Sequence, residues 1–390
     1  MNLNLSRSIT KIRPPCPKLR PPHFLSPSSW SICSKIVYEN QAHTLREVSS
    51  VHKRTRNKNK IGQTFCATLK DESVPEPKED NNKVTAQSDI WRKWDVFRRF
   101  CRLHSVTGTV TGIVSISLLP LTSFGDLSPA FVLGILQSVL PFAFINIYVG
   151  TLNQLTDLGI DKINKPHYVL VSGEYSMGQG KAITAAIGIM GLGTAIMFGS
   201  PPLLYGAIIH FLVGTAYSVE LPYLRWKTNP FLAALSIGLH TFYFQLPVFS
   251  HIQKYVLGRP LVHPKSFYFV LIFFSLFATV LGVFKDIPDV AGDEAFGNQT
   301  YSVRHGKKKV FVICISVLLI NYGFAVVSGA VLSSLLLSKL VTVVGHCTLA
   351  SLLWRRAKSL DLDDDSAVES LYMFLWKLFT AEYALIQFIR

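Results

Sequence analysis

The stretch NQLTDLGIDKINKP, residues 153–166, follows a long apolar run ending in INIYVGTL, and it carries two aspartates and two lysines. An ionisable group in or against hydrocarbon is costly, about 2.5–3.5 kcal/mol for Asp at a helix centre on insertion scales, so it marks a path or a site. Asn153, Asp157 and Asp161 stand four residues apart. On a helix each such step returns to nearly the same face, with a drift of roughly 40°, so the three side chains line one stripe. A second stretch, KDIPDVAGD at residues 285–293, repeats the pattern with Asp286, Asp289 and Asp293 at spacings of three and four. Pro288 inside it marks a kink or a helix end.

The rest of the chain shows what surrounds these carboxylates. Its 390 residues are 49% hydrophobic and only 16% charged, with a mean hydropathy of +0.32. That balance describes a multi-span membrane protein rather than two or three soluble domains. Apolar windows long enough to cross a bilayer lie near residues 104–122, 131–152, 181–198, 202–218, 231–249, 266–285, 310–328, 331–353 and 370–389. They predict an all-α protein with nine transmembrane helices. Basic residues cluster before the first window and after the second, fourth, sixth and eighth, while most other links are short and neutral. The link after the fifth window, with Lys254, Arg259 and Lys265, breaks that alternation. By the positive-inside rule the basic segments share one membrane face. Both aspartate clusters end even-numbered windows, so they share it too.

The formal charge of +15 is unevenly placed. Residues 1–70 hold thirteen Lys or Arg against Glu39 and Glu47, leaving a net of +4 for the remainder. This block is rich in Ser and Pro and lacks the apolar core of a secretory signal, so residues 1–66 read as a plastid transit peptide. Residues 67–95 read as a polar disordered linker, and residues 96–390 as the transmembrane domain. The KRTRNKNK run at 53–60 mimics a nuclear signal, but hydrophobic spans follow it. A nucleic-acid partner is excluded, because the basic residues are not interleaved with aromatics on a folded surface. The six cysteines include no C-x-x-C pair, so neither a disulfide framework nor a zinc site is implied.

Two carboxylate sets on one face suit Mg²⁺, a hard cation held by one or two carboxylates plus substrate phosphates. Such ions neutralise a departing diphosphate. Lys162, Lys165, Arg225, Lys227 and Lys285 fall on the same predicted face. Arg225 suits a bidentate phosphate contact and the lysines act as point charges. Tyr217 stands close enough to the motifs to belong to a pocket. The acidic run LDLDDD at 360–365 reads as a solvated loop, and the Phe-rich segment near 267–277 as core or lipid-facing. His104 and His240 read as satisfied polar groups rather than bases.

The two aspartate stretches, together with AYSVELPYLRWK at 216–227 and the continuation EAFGNQTYSVRHGKKKVF at 294–311, resemble the UbiA-type intramembrane prenyltransferases. The likeness is to the plant plastid branch, related to homogentisate prenyltransferases and to the aromatic prenyltransferases of flavonoid and coumarin metabolism. It runs from about residue 95 to residue 390. It implies nine transmembrane helices around a central cavity, Mg²⁺ dependence, and transfer of an isoprenoid from its diphosphate to an aromatic acceptor in a multi-pass chloroplast membrane protein. Carried over by motif, Asn153, Asp157 and Asp161 form a first metal and diphosphate site, and Asp286, Asp289 and Asp293 a second. Tyr217, Arg225 and Lys227 enter the diphosphate-contacting region, and Lys162 and Lys285 join the substrate-binding set.

The chain departs from the branch at Arg102-Leu103-His104-Ser105, where Arg-Pro-His-Thr is usual, and at KPHYVLVSGE. These departures favour a dimethylallyl donor and a flavonoid, coumarin or acylphloroglucinol acceptor over a homogentisate phytyl or solanesyl transfer. A chlorophyll synthase fits less well. A cation transporter, the alternative from another class, would place its charges near the bilayer midplane on broken helices, whereas these lie at span ends.

Overall fold

The computed structural model describes residues 81–389, with side chains from Asp89 onward. The transit-peptide reading of residues 1–66 and the first part of the linker lie outside the described residues. The second part of the linker is corrected: Asn81–Phe100 is a helix, α1. Polar composition suggested disorder, but Phe97 and Phe100 fall on one side of this helix, where Phe100 is buried in a cluster with Cys101, Tyr148 and Val169. Arg99 fixes α1 from outside, donating to both carboxylate oxygens of Glu174 at 2.8 and 2.5 Å.

Fifteen α-helices run from residue 81, and no strand occurs among the described residues. After α1 come α2 (Leu103–Leu118), α3 (Pro129–Thr156), the short α4 (Leu158–Asn164) and α5 (Val169–Ser172), α6 (Met177–Met197) and α7 (Pro201–Ser218). Next are α8 (Pro230–Gly238) and α9 (His240–Ser250), which continue into a π-helical turn, His251–Val256. Then come α10 (Lys265–Phe284), α11 (Val290–Ala295), α12 (Tyr301–His305), α13 (Lys307–Leu332), α14 (Leu336–Lys358) and α15 (Asp365–Leu385). Starts are written in the sequence. Ser128 and Asn229 cap helices that open on Pro129 and Pro230, and Ser176 with Gln179 makes a capping box.

Every apolar window of the sequence falls on a helix. Among the described residues six helices are long and apolar enough to cross a membrane: α3, α6, the joined α8–α9, α10, α13 and α14. The windows near 202–218 and 370–389 form α7 and α15, which lie outside that set, and α2 is apolar but has 16 residues. The most enclosed span is α10, with 61% of its apolar window buried, against 17% for α14. Its phenylalanines explain the difference. Phe267, Phe273, Phe274, Phe277 and Phe284 are fully buried and pack with Leu318 and Tyr322 of α13 and Leu371 and Leu375 of α15.

The other half of the bundle packs closely through small residues, as membrane helices do where no water drives association. A Cβ on Gly206 of α7 would sit 2.7 Å from the Tyr243 carbonyl and 2.6 Å from the Pro247 ring of α9. The basic link that broke the charge alternation has a local partner. Arg259 donates to Asp126 at 2.6 Å and to the Pro120 carbonyl at 2.9 Å, tying the link after α9 to the one between α2 and α3.

Candidate active site at the mouth of the bundle cavity

Both aspartate motifs sit where a long helix stops and a short one begins. The first does not lie on one continuous helix, as its spacing predicts: α3 ends at Thr156, and Asp157 takes a backbone of φ −102°, ψ 12° before α4. The amide ladder nevertheless runs through, from Asp157 N–H to the Asn153 carbonyl at 2.9 Å and from Asp161 N–H to the Asp157 carbonyl at 2.8 Å. The stripe is therefore kept but bent. In the second motif α10 ends at Phe284, turns carry Lys285 to Pro288, and α11 starts after Asp289. Pro288 marks a helix end, one of the two outcomes its position allowed.

Asp157 is met from its own helix and from the segment after α7. Asn153 Nδ2 donates to Oδ2 at 2.9 Å, Lys227 Nζ donates to Oδ1, and Arg225 comes within 3.9 Å. Arg225 also pairs with Glu220. Tyr223 and Arg225 hold left-handed backbones at φ 66° and 57°. For side-chain-bearing residues that conformation is uncommon and collects at functional sites.

The second motif is latched to the first. Lys165 Nζ donates to Asp289 Oδ2 at 2.6 Å. Asn164, at the end of α4, donates to the Asp289 carbonyl and accepts from Gly292 N–H, both at 3.0 Å. A Cβ on Gly292 would meet the Asn164 amide at 2.5 Å, so this contact requires glycine. Asn298 Nδ2 donates to Asp293 Oδ1 at 3.0 Å. Asn298 is itself buried, which closes the Asn-Gln-Thr sequon to modification.

Two carboxylates are left without a cation. Asp161 and Asp293 are both buried and form no ion pair among the described residues. Burial pushes the Asp161 carboxyl up to about 6, against the opposing pull of Lys165. Burial likewise pushes Asp293 up to about 6, while the Asn298 hydrogen bond acts the other way. Burial lowers Lys227 despite Asp157 beside it. These groups are held out of water in a state that a bound cation or anion would relieve.

Below the motifs lies a cavity of about 350 Å³. Asn153, Tyr217 and Lys285 line its mouth, and Lys285 Nζ donates to Tyr217 Oη at 3.0 Å with its ammonium 5.5 Å from the ring centre. Lys285 also stands 3.5 Å from Asp286. Tyr372, Trp376 and Phe379 of α15 form an aromatic wall. Arg102 lines it as well, from a left-handed backbone at φ 48° between α1 and α2.

The structure thus brings together Asn153, Asp157, Asp161, Tyr217, Arg225, Lys227, Lys285, Asp286, Asp289 and Asp293. Lys162 stands apart, exposed on α4 and forming no ion pair among the described residues. The lysine that joins the motifs is Lys165. Asn164 and Arg102 were missed as site residues because each acts through distant segments, for which the sequence carries no spacing signal, and Asn298 because its contact with Asp293, five residues away, is made by a loop amide outside the carboxylate spacing. His240 is corrected: it lines the cavity and makes ring contacts without a hydrogen bond to the protein. The aspartates of LDLDDD are exposed as expected, but Leu360 and Leu362 pack against the core, and Asp365 opens α15 and accepts from Lys307 at 2.5 Å.

Among the described residues no three His, Cys, Asp or Glu converge as a ready-made metal cage. The donor set is all carboxylate and amide oxygen, divided between two motifs, with lysines on Asp157 and Asp289. Such a set fits a hard cation that arrives with phosphate oxygens and completes its shell from them.

A family model, the UbiA prenyltransferase family, matches residues 109–378. The chain is 44% identical over 327 residues to a coumarin 8-geranyltransferase 1, chloroplastic, of Citrus limon, covering 83% of this chain and 80% of that one. It is 43% identical over 317 residues to homogentisate phytyltransferase 1, chloroplastic, of Arabidopsis thaliana, covering 81% and 80%. It is 44% identical over 297 residues to naringenin 8-dimethylallyltransferase 2, chloroplastic, of Sophora flavescens, covering 76% and 73%. A solved UbiA homolog from Archaeoglobus fulgidus, bound to GPP and Mg²⁺, shares the fold at TM-score 0.50 and 16% identity, covering 75% of this chain and 99% of that one. The chain belongs to the UbiA prenyltransferase family and is a membrane-embedded prenyltransferase.

Proposed function

We propose that this UbiA-family enzyme is a Mg²⁺-dependent aromatic prenyltransferase of a plastid membrane. It moves a dimethylallyl group from its diphosphate to a ring carbon of a plant phenolic: a flavonoid, a coumarin or an acylphloroglucinol. The observation that carries the reading is the latch between the motifs, Lys165 on Asp289 and Asn164 on the α11 backbone, at the mouth of an aromatic-walled cavity. The relatives' printed names supply the aromatic acceptor classes and the plastid setting.

Asp157 and Asp161 on one side, with Asn153 beside them, and Asp286, Asp289 and Asp293 on the other, would hold Mg²⁺. When bound there with the diphosphate, the metal supplies neutralising charge for the leaving group. Lys227 and Arg225 meet the diphosphate oxygens from the segment after α7, and Lys285, steered by Tyr217, meets them from the cavity side. As the carbon–oxygen bond breaks, its electron pair leaves with the diphosphate and positive charge spreads over the allylic carbons. The faces of Tyr217, Tyr372 and Trp376 attract that charge, and the apolar walls keep water from quenching it. A phenol ring carbon ortho to a hydroxyl attacks the allylic carbon and then loses its proton, restoring aromaticity.

The second reading, phytyl or solanesyl transfer to homogentisate, draws on the likeness to the Arabidopsis relative. The cavity argues for the shorter donor. At about 350 Å³ it lies near the small end of the roughly 300–1,000 Å³ range of ligand pockets. Family membership leaves the transporter reading without support.

The test uses membranes from cells expressing the full chain, with Mg²⁺, dimethylallyl, geranyl or phytyl diphosphate, and a panel of homogentisate, flavonoids, coumarins and acylphloroglucinols. A prenylated phenol that disappears without Mg²⁺ and in Asp157→Ala supports the reading and names the substrates. Homogentisate as sole acceptor moves the enzyme to the second reading. A folded protein that transfers nothing overturns both.

A further inference from the structure

The cavity has two levels, and three helices set their separation. Asn153 and Asn146 on α3, Tyr217 and His210 on α7, and Lys285 and Ala278 at the end of α10 each stand seven residues apart and all line it. Seven residues of helix rise about 10 Å. The upper level is the charged mouth. The lower level is polar as well, although α3 and the joined α8–α9, which carry most of it, are long and apolar enough to cross a membrane: His210, His240, Tyr243, Gln245, Asn146 and Thr109 line it.

This floor contains groups the protein leaves unsatisfied. Among the described residues His210, 6% exposed, has no hydrogen-bond partner for its Nδ1, and Gln245, 2% exposed, has none for its Oε1, although its side chain also hydrogen-bonds Tyr383. His240 is partly exposed, and its contacts are with rings: His210 at 5.2 Å, Tyr243 at 5.3 Å and Phe244 at 5.0 Å. By contrast, Asn146 Nδ2 donates to Thr109 Oγ1 at 2.5 Å. The backbone is irregular at the same level. The span α8–α9 breaks at Leu239, and Tyr243 Oη donates across the break to the Ser236 carbonyl at 3.2 Å. Interrupted helices within a membrane are tolerated where they are buried in protein or line a cavity, and intramembrane ionisable side chains mark sites.

The geometry points to this floor as the seat of the acceptor's far end, with His240 and His210 binding a hydroxyl or carbonyl remote from the prenylated carbon. The inference rests on the transferase reading above. A prenyl tail has no polar atom, so its terminus against the floor would leave the imidazoles and the Gln245 carbonyl oxygen unpaired, which is the costly arrangement. A fused-ring or otherwise elongated phenol reaches across about 10 Å and satisfies them. The donor's tail is then left to the apolar wall of α15. The acceptor class is therefore one whose second polar group lies at the opposite end of the molecule from the reacting ring position.

His240→Phe and His210→Phe are to be compared with the wild-type full chain in membranes, with KM for donor and acceptor measured separately. Acceptors are paired, one carrying the remote hydroxyl and one with hydrogen in its place. Loss of one hydrogen bond to a buried partner raises acceptor KM about tenfold with donor KM unchanged, and the deoxy acceptor shows no such loss. His240→Gln, which keeps a hydrogen-bonding group, restores most of the affinity and carries the test if the phenylalanine variants do not fold. Thermal protection by dimethylallyl diphosphate with Mg²⁺ shows which variants are folded. If acceptor KM is unchanged while preference shifts towards longer donors, the floor is a tail stop and the inference is overturned. If the wild type transfers nothing, the function itself has failed; if it transfers and the variants match it, the floor assignment alone has.

Discussion

The two aspartate motifs look alike in sequence and are held in different ways. Asp157 is gripped by Asn153 of its own helix, and by Lys227 and Arg225 from the segment after α7. Asp289 is gripped by Lys165, which belongs to the continuation of the first motif. The first motif is thus clamped to a strained cap and the second is latched to the first. A substrate that pulls Lys227 onto its phosphates frees Asp157, whereas Lys165 can let go of Asp289 only by loosening the seam between the motifs.

The largest expected effect erases the distinction. Asp157→Ala and Asp289→Ala should each lower kcat/KM at least a hundredfold, the scale of removing one preorganised charge-stabilising group, and chelation of Mg²⁺ should abolish transfer in both. Radiolabelled prenyl transfer at saturating Mg²⁺ checks this, and a mild Asp289→Ala phenotype would make the second motif dispensable. Lys227→Met and Lys165→Met should then separate the two. The first should raise the KM for the diphosphate about tenfold and cost less stability, because Arg225 and Asn153 remain on Asp157. The second should lower both activity and unfolding temperature, because it leaves Asp289 partly buried without its partner. Equal effects of the two lysines on stability would refute the latch.

Gly292→Ala tests the seam without touching a charge. Its Cβ must displace Asn164, at a cost of about 1–3 kcal/mol typical of overpacking, visible as a lower unfolding temperature. A neutral result would show that Asn164 has somewhere else to go. Lys162→Ala should be the smallest effect, within about twofold in kcat/KM, since exposed charges contribute little.

Much of this was legible in the chain. Three- and four-residue spacings gave both motifs, apolar runs found every long helix after α1, and clustered basic residues put the motif ends on one face. That last inference is met by the contacts of Asp157 with Lys227 and of Lys165 with Asp289. What the sequence hid was pairwise contact over distance. Asn164 and Gly292 are separated by 128 positions, and nothing in either local pattern announces the other. Lys162 and Lys165 looked equivalent, yet three residues is less than a full helical turn, and the helix ends at Asn164 between them. The α1 segment failed differently: its polar composition outweighed a short apolar stripe that matters only once Glu174 and Val169 are in place. His240 was misread because a histidine in an apolar run gives no sign of whether it faces protein or empty space.

The seven-residue separation of the cavity's levels on three helices also bears on how such an enzyme diversifies. A substitution at the floor is about two helical turns from Asn153, Tyr217 and Lys285 at the mouth, so on the proposed assignment acceptor choice would drift while the leaving-group machinery stays intact. New activities on this scaffold then need no simultaneous changes. Each intermediate along such a path remains a working catalyst, and the chemistry at the mouth is inherited unchanged while its clientele turns over.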